Sequence, residues 1–269
     1  MGIFDGCLLV SDFDGTLYFE GEIPKRNHEA LEYFMTSGGL FSVASGRGPY
    51  AARKVFRLVK TNAPSLLVNG AVVFDPEKGE IIEAEVLGEK AKKKTAEIIE
   101  KFPDIGVEIT MKDSIVTINE NKDTILHRKS ESFANIIKTY DEIKDEPWIK
   151  TLLMSSDEAV LNAVKSFLDN GERDSFELVA TSPIFYEILP KGIDKSAGIP
   201  KLREITKAKR AFCIGDFYND LGMVEMAEVG AFTANAPEEL KAKADFITGS
   251  AKLGAVADFI YYLENYLEN

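Results

Sequence analysis

Short apolar runs punctuate the first third of the chain, and each ends in a polar loop. Cys7 to Ser11, Leu40 to Ala44 and Ser65 to Val68 are too short for helices and lack clean alternation, which is how strands buried on both faces read. Asn27 is a candidate N-cap for a helix running to Met35, and Gly38-Gly39 ends it with residues that tolerate positive φ. Pro49 begins a second helix in the favoured first-turn position. Asn69-Gly70, the dipeptide of tight hairpin turns, separates the third run from Ala71 to Phe74. Strand, helix, strand, helix, strand predicts a doubly wound, Rossmann-like α/β layer with a parallel sheet.

The pattern changes from about Ile81 to Thr181. Helices are expected near Lys90 to Lys101, Ser132 to Tyr140 and Glu158 to Leu168, with strands near Val107 to Met111, Ile115 to Asn119, Ile149 to Met154 and Phe176 to Val179. Paired strands separated by helices predict an α+β unit. The α/β alternation then returns: a strand at Tyr186 to Leu189, a helix after Asp194, a strand at Ala211 to Ile214 and a helix from Asp220 to Ala227. A strand at Gly230 to Thr233 and helices over Pro237 to Ala244 and Lys252 to Tyr266 complete it. At 269 residues the chain is long enough for two folded units. The order predicts one α/β core over 1–81 and 182–269, interrupted by an α+β cap over 82–181.

Composition narrows the partners. The formal net charge is −12, which repels nucleic-acid backbones and anionic membrane surfaces. The basic cluster Lys90 to Lys94 sits in a helical pattern and reads as a solvated face. No apolar run approaches the roughly 20 residues of a membrane span. The opening Met1-Gly2-Ile3-Phe4-Asp5 has no basic n-region, so no secretory signal is expected. Cys7 and Cys213 both fall in apolar runs and read as buried thiols rather than a disulfide, which predicts a cytoplasmic protein.

Four segments stand where doubly wound folds place their ligands, at the ends of predicted core strands. Asp12 and Asp14, two apart on an extended segment, project to the same side, and a divalent cation is the simplest remedy for their repulsion. Gly15 allows a sharp turn beside them, and Thr16 offers a hydroxyl and a backbone N–H to an anion. An acidic turn without further role is the plainer alternative. Ser45-Gly46-Arg47 opens a helix, whose N-terminus can bind anions, although a simple N-cap serine is commoner. Lys195 lies at a strand-to-helix junction, where a lone lysine is by default solvated. Asp216 and Asp220, with Asn219 between them, follow a buried strand and make a metal site much better founded than an accidental loop.

In this order the segments resemble the four motifs of the haloacid-dehalogenase superfamily: Asp12 to Thr16, the serine of Ser45-Gly46-Arg47, Lys195, and Gly215 to Asp220. The insertion between the second and third motifs resembles the type-II-capped, Cof-like branch, as do Asn69-Gly70-Ala71 and Asn235-Ala236. The resemblance implies an Mg²⁺-dependent phosphatase of small phosphorylated metabolites, sugar phosphates or related polyols, working through an aspartyl phosphate. Asp12 would be the nucleophile and Asp14 the acid–base. The metal would be held by Asp12, the main-chain carbonyl of Asp14, and Asp216. Ser45, Lys195 and Asn219 would hold the phosphoryl oxygens, with Thr16, Gly46, Arg47 and Asn69 also at the phosphate. Asp220 would position Lys195 or a metal-bound water.

Bland readings suit the other polar residues. His28 and His127 have no acid partner in a recognisable motif, and Trp148 and Phe133 read as core more than as pocket lining. A phosphomutase or phosphotransferase would need arginines in the cap, which has only Arg128 and Arg173. A response-regulator receiver also uses clustered acids, a hydroxyl and a lysine, but lacks so long an insertion. A catalytically silent phosphate-ligand-binding protein on the same scaffold remains the third alternative, against which the retention of all four motifs argues.

Overall fold

The structure, a computed structural model, describes residues 2–131, 133–169 and 173–268; Ser132, the expected start of a helix, and the Arg173 side chain lie outside the description. Its strands are β1 (Cys7–Asp12), β2 (Leu40–Ala44), β3 (Ser65–Leu67), β4 (Val72–Asp75), β5 (Glu80–Ala84), β6 (Gly106–Thr110), β7 (Ile115–Asn119), β8 (Lys150–Met154), β9 (Phe176–Ser182), β10 (Phe185–Pro190), β11 (Arg210–Gly215), β12 (Val229–Phe232) and β13 (Phe246–Ile247). Among the described residues they form two sheets, ordered β13-β12-β11-β1-β2-β3-β4-β5 and β7-β6-β8-β10-β9. The chain divides into two compact units, one of residues 1–46, 52–83 and 194–269, the other of 47–51 and 84–193.

The first unit holds the eight-stranded sheet. β1 pairs in parallel with β2 and with β11, and β11 with β12, so the hydrophobic strands are buried on both faces. Cys7 and Leu9 face one layer, built from Ala30, Leu31 and Phe34 of the helix Lys25–Thr36 and from Val256, Phe259, Ile260 and Leu263 of the helix Ala255–Glu268. Leu8 and Val10 face the other, with Ile199, Leu202 and Met223. This is the doubly wound α/β core that the alternation predicts. Cys7 and Cys213 are free and buried, and burial pushes both thiols up. No helix among the described residues is long and apolar enough to cross a membrane.

Three expectations need correction. Asn27 does not cap its own helix, which starts at Lys25 behind Pro24; buried inside, its Oδ1 accepts from Ala257 N at 3.0 Å and so caps the C-terminal helix. The helix expected over Ser132 to Tyr140 is instead Lys122–Glu131 and a short turn at Tyr140–Ile143. Asn121 Oδ1 accepts from Asp123 N and Thr124 N and starts the first, while Thr139 and Glu142 form a capping box for the second. Residues 136–138 run beside β7, with Thr117 N donating to Ile136 O and Lys138 N to Thr117 O.

The third concerns the return to the core. β9 and β10 pair antiparallel, and β10 pairs antiparallel with β8, so Phe185–Pro190 completes the five-stranded sheet and the chain re-enters the first unit at Asp194 rather than at 182. A strand's own sequence does not say which sheet it joins.

The second unit packs its helices Glu89–Lys101 and Glu158–Asp169 on one sheet face through Ala91, Ile98, Leu161 and Val164 against Val107, Ile109, Leu153 and Ile188. Trp148 is wholly buried in this core and donates its indole N–H to Ile143 O at 2.8 Å.

Candidate active site

Three neighbouring strands of the first unit deliver the predicted residues. β1 ends at Asp12, β2 at Ala44 before Ser45, and β11 at Gly215 before Asp216. The register sets Asp12 beside Ala44 and Ser11 beside Ile214. From β1 the chain proceeds to β2 on one side, whereas β11 to β13 lie on the other, so these carboxyl ends frame the switch point at which such sheets bind ligands.

Lys195 is not a surface residue. It is completely buried, and its Nζ donates to Asp12 Oδ1 at 2.5 Å and to Asp220 Oδ1 at 2.6 Å. It starts a single helical turn capped by Asp194, whose side chain accepts from Ser196 N and Ala197 N. Desolvation alone would favour the neutral amine, but the two carboxylates outweigh it and raise the ammonium's pKa.

Asp12, Asp216 and Asp220 bring one carboxylate oxygen each within 4.8 Å of one another. Asp14 is not the third member; its side chain is exposed. Asp220 is already engaged at both oxygens, because Oδ1 accepts from Lys195 and Oδ2 accepts from Asp216 N at 3.0 Å and Phe217 N at 3.1 Å. It therefore fixes Lys195 and the turn that presents Asp216. Asp12 is the under-compensated group: its Oδ2 is buried with no hydrogen-bond partner. Burial, and then Asp220 and Asp216, hold its carboxyl well above the usual range despite Lys195. Burial and Asp220 likewise push Asp216 up to about 6. Three carboxylates against one lysine, with an orphaned oxygen among all-oxygen donors, suit a hard divalent cation.

Gly15 makes this approach possible, since its φ is +93° and a Cβ there would run into the Asp216 carboxylate. The Thr16 hydroxyl, expected to face an anion, donates to Asp216 Oδ1 at 3.0 Å and orients that carboxylate. Asn235 was left without a role by the sequence; its Nδ2 donates to Gly15 O at 3.0 Å while its Oδ1 accepts from Ala251 N, bracing the same loop.

The expected phosphate-binding residues also converge. Ser45 N donates to Leu66 O, Asn69 N to Ser45 O at 3.0 Å, and Asn219 Nδ2 to Asn69 Oδ1 at 3.0 Å. Val68 and Asn69 hold φ of 52° and 51°, and Gly70 follows at 95° where a Cβ would meet the Asp194 carbonyl. A β-branched residue in the left-handed region is costly, so this turn is held in shape by its surroundings. A Gly46 Cβ would lie 3.3 Å from Asn69 Nδ2, which keeps Ser45-Gly46 close against that side chain. Arg47 departs from expectation: it groups with the second unit, and its Nη1 pairs with Glu131 Oε2 at 2.8 Å.

Residues 9–260 match the family described as haloacid dehalogenase-like hydrolase. The chain belongs to that family. A haloacid dehalogenase-like hydrolase from Bacteroides thetaiotaomicron superposes with a TM-score of 0.82 at 27% identity, covering 97% of this chain and 99% of that one. The 5-amino-6-(5-phospho-D-ribitylamino)uracil phosphatase YwtE of Bacillus subtilis is 26% identical, over 94% of this chain and 96% of its own length. The chain spans 46% of the chloroplastic endoribonuclease YBEY of Arabidopsis thaliana, at 24% identity. As a member of this family, the protein is a hydrolase-type enzyme.

Proposed function

We propose that the protein is a cytoplasmic, Mg²⁺-dependent phosphomonoesterase of small phosphorylated metabolites, sugar or polyol phosphates in particular. The observation that carries this is Asp12: one oxygen is held by buried Lys195, and the other is buried without a partner. In the mechanism, Asp12 Oδ2 attacks phosphorus while Asp14 protonates the departing alkoxide, giving an aspartyl phosphate. Asp14 then takes a proton from water, which attacks the same phosphorus, releases phosphate and restores Asp12. Lys195 shields the anionic nucleophile from an anionic substrate, and Ser45, Asn69 and Asn219 orient the phosphoryl oxygens. A divalent cation held by Asp12, Asp216 and the Asp14 carbonyl would supply the charge neutralisation that lets carboxylate and phosphate meet. The substrate named for YwtE carries a phosphoribityl group, which supports a polyol phosphate here. The inserted unit, expected over 82–181 and found over 84–193 with 47–51, is assigned to substrate selectivity.

A screen of a few dozen phosphorylated metabolites with and without Mg²⁺, read as released phosphate, tests the reading. Release from none of them by folded, metal-loaded protein would sink it. Gly15→Ala gives a structural check. Its Cβ would displace the Asp216 carboxylate, so Mg²⁺ affinity measured by calorimetry is expected to fall by about tenfold or more, a loss of one good ligand. Gly21→Ala is the control, because φ there is +102° but nothing lies within 4 Å. Equal losses in both would trace the effect to backbone strain rather than to Asp216.

A further inference from the structure

The turn after β1 contains a buried donor that the chemistry above does not use. Thr16 is wholly buried, and its hydroxyl is spent on Asp216 Oδ1. Its backbone N–H donates to none of the described residues. Buried main-chain N–H groups are nearly always paired, and one that the chain leaves open calls for an acceptor from outside. The residue stands beside Asp216 within the first unit, so that acceptor belongs to a group entering the Asp12 site.

The direction of that N–H is set by the peptide it shares with Gly15. Gly15 N donates to Tyr18 O at 2.9 Å and anchors one side of this peptide, and the Thr16 hydroxyl anchors the other. The plane between them turns about Gly15 ψ and Thr16 φ, and Gly15 has no Cβ to resist the rotation. Asn235 Nδ2 donates to Gly15 O at 3.0 Å, and no other described residue donates to that carbonyl. The amide's other end is fixed as well, because Oδ1 accepts from Ala251 N at 3.0 Å. Needing a donor at one end and an acceptor at the other, the position suits an asparagine and not an aspartate. In a planar trans peptide the C=O and N–H point in opposite directions. Holding Gly15 O towards the exposed Asn235 therefore turns Thr16 N–H inward. An exposed hydrogen bond adds little stability, which leaves orientation as what this one contributes.

We infer that Asn235 is a positioning residue: its amide locks the Gly15–Thr16 peptide so that the buried Thr16 N–H donates to a phosphoryl oxygen. The identity of that anion rests on the phosphomonoesterase reading. Asn235→Asp conserves shape and still accepts from Ala251 N, but it cannot donate to Gly15 O. Its melting temperature is expected to fall by no more than about 2–4 °C, the scale of one exposed hydrogen bond. With Mg²⁺ present, kcat/KM for 4-nitrophenyl phosphate and the affinity for inorganic phosphate should both fall about ten- to a hundredfold, the scale of one lost hydrogen bond to a charged group. In ¹⁵N spectra of the full chain, saturating inorganic phosphate should move the Thr16 amide proton downfield in the parent and not in the variant. Kinetics and phosphate affinity unchanged in Asn235→Asp would overturn the proposal, as would a Thr16 amide that ignores phosphate bound by the parent. A larger drop in melting temperature, with activity lost in proportion, would reduce Asn235 to a structural brace. If the parent neither hydrolyses the ester nor binds phosphate, the phosphomonoesterase reading fails separately. Relaxation dispersion on the ligand-free chain then decides the positioning role: millisecond exchange at Thr16 in Asn235→Ala and none in the parent supports it, and flat profiles in both refute it.

Discussion

Asp12→Asn is expected to lower phosphate release by at least about 10⁴-fold while leaving the protein folded. Losing a covalent nucleophile outright has effects of this order or larger. The amide keeps the volume and can still accept from Lys195 through its oxygen, so the buried contact at 2.5 Å has a replacement. It cannot attack phosphorus, and it removes one charge from a cluster whose repulsion already raises the pKa of Asp12. Thermal melting should therefore be unchanged or slightly higher. Retention of more than a few per cent of parental turnover would show that Asp12 is not the nucleophile.

Lys195→Met should be the most damaging change to stability in the first unit. It fills nearly the same space but leaves Asp12 and Asp220 facing each other in a buried site without their shared cation. Breaking a buried ion pair from one side costs about 3–5 kcal/mol. For a domain of this size that corresponds to a melting temperature lower by roughly 10 °C. Because a divalent cation would return positive charge to the same carboxylates, Mg²⁺ should raise the melting point of this variant more than that of the parent. A variant that melts like the parent without Mg²⁺ would mean that the buried carboxylates take up protons at little cost, and Lys195 would lose its role as their necessary counter-charge.

The parts of this molecule that are legible in the sequence are those whose meaning is local. Asp12 to Thr16 and Gly215 to Asp220 each follow a buried strand directly, so a strand end and its acids are read together. Even there the division of labour was only partly visible. Thr16 orients Asp216, and Asp220 anchors Lys195, because those pairings join residues 200 and 25 positions apart. The same holds for Asn27, whose partner Ala257 is 230 positions away and whose local signature is that of an ordinary cap. The boundary at Asp194 was missed since Phe185–Pro190 has the composition of a strand in either sheet.

The central claim, that Asp12 carries the phosphoryl group while Asp14 moves the protons, is tested most directly by the mass of an Asp14→Asn variant during turnover. Nitrophenolate leaves readily without protonation, so 4-nitrophenyl phosphate should still phosphorylate Asp12 in this variant. Hydrolysis of the aspartyl phosphate needs an activated water, which the variant lacks, and general acid–base help is worth around a hundred- to ten-thousand-fold. A burst of nitrophenol approaching one per active site should precede a steady rate reduced by that order. Intact-protein mass spectrometry should then show one added phosphoryl group, localised to the peptide containing Asp12. An unphosphorylated variant that loses nitrophenyl and alkyl esters equally, or a phosphoryl group on any other residue, would contradict it.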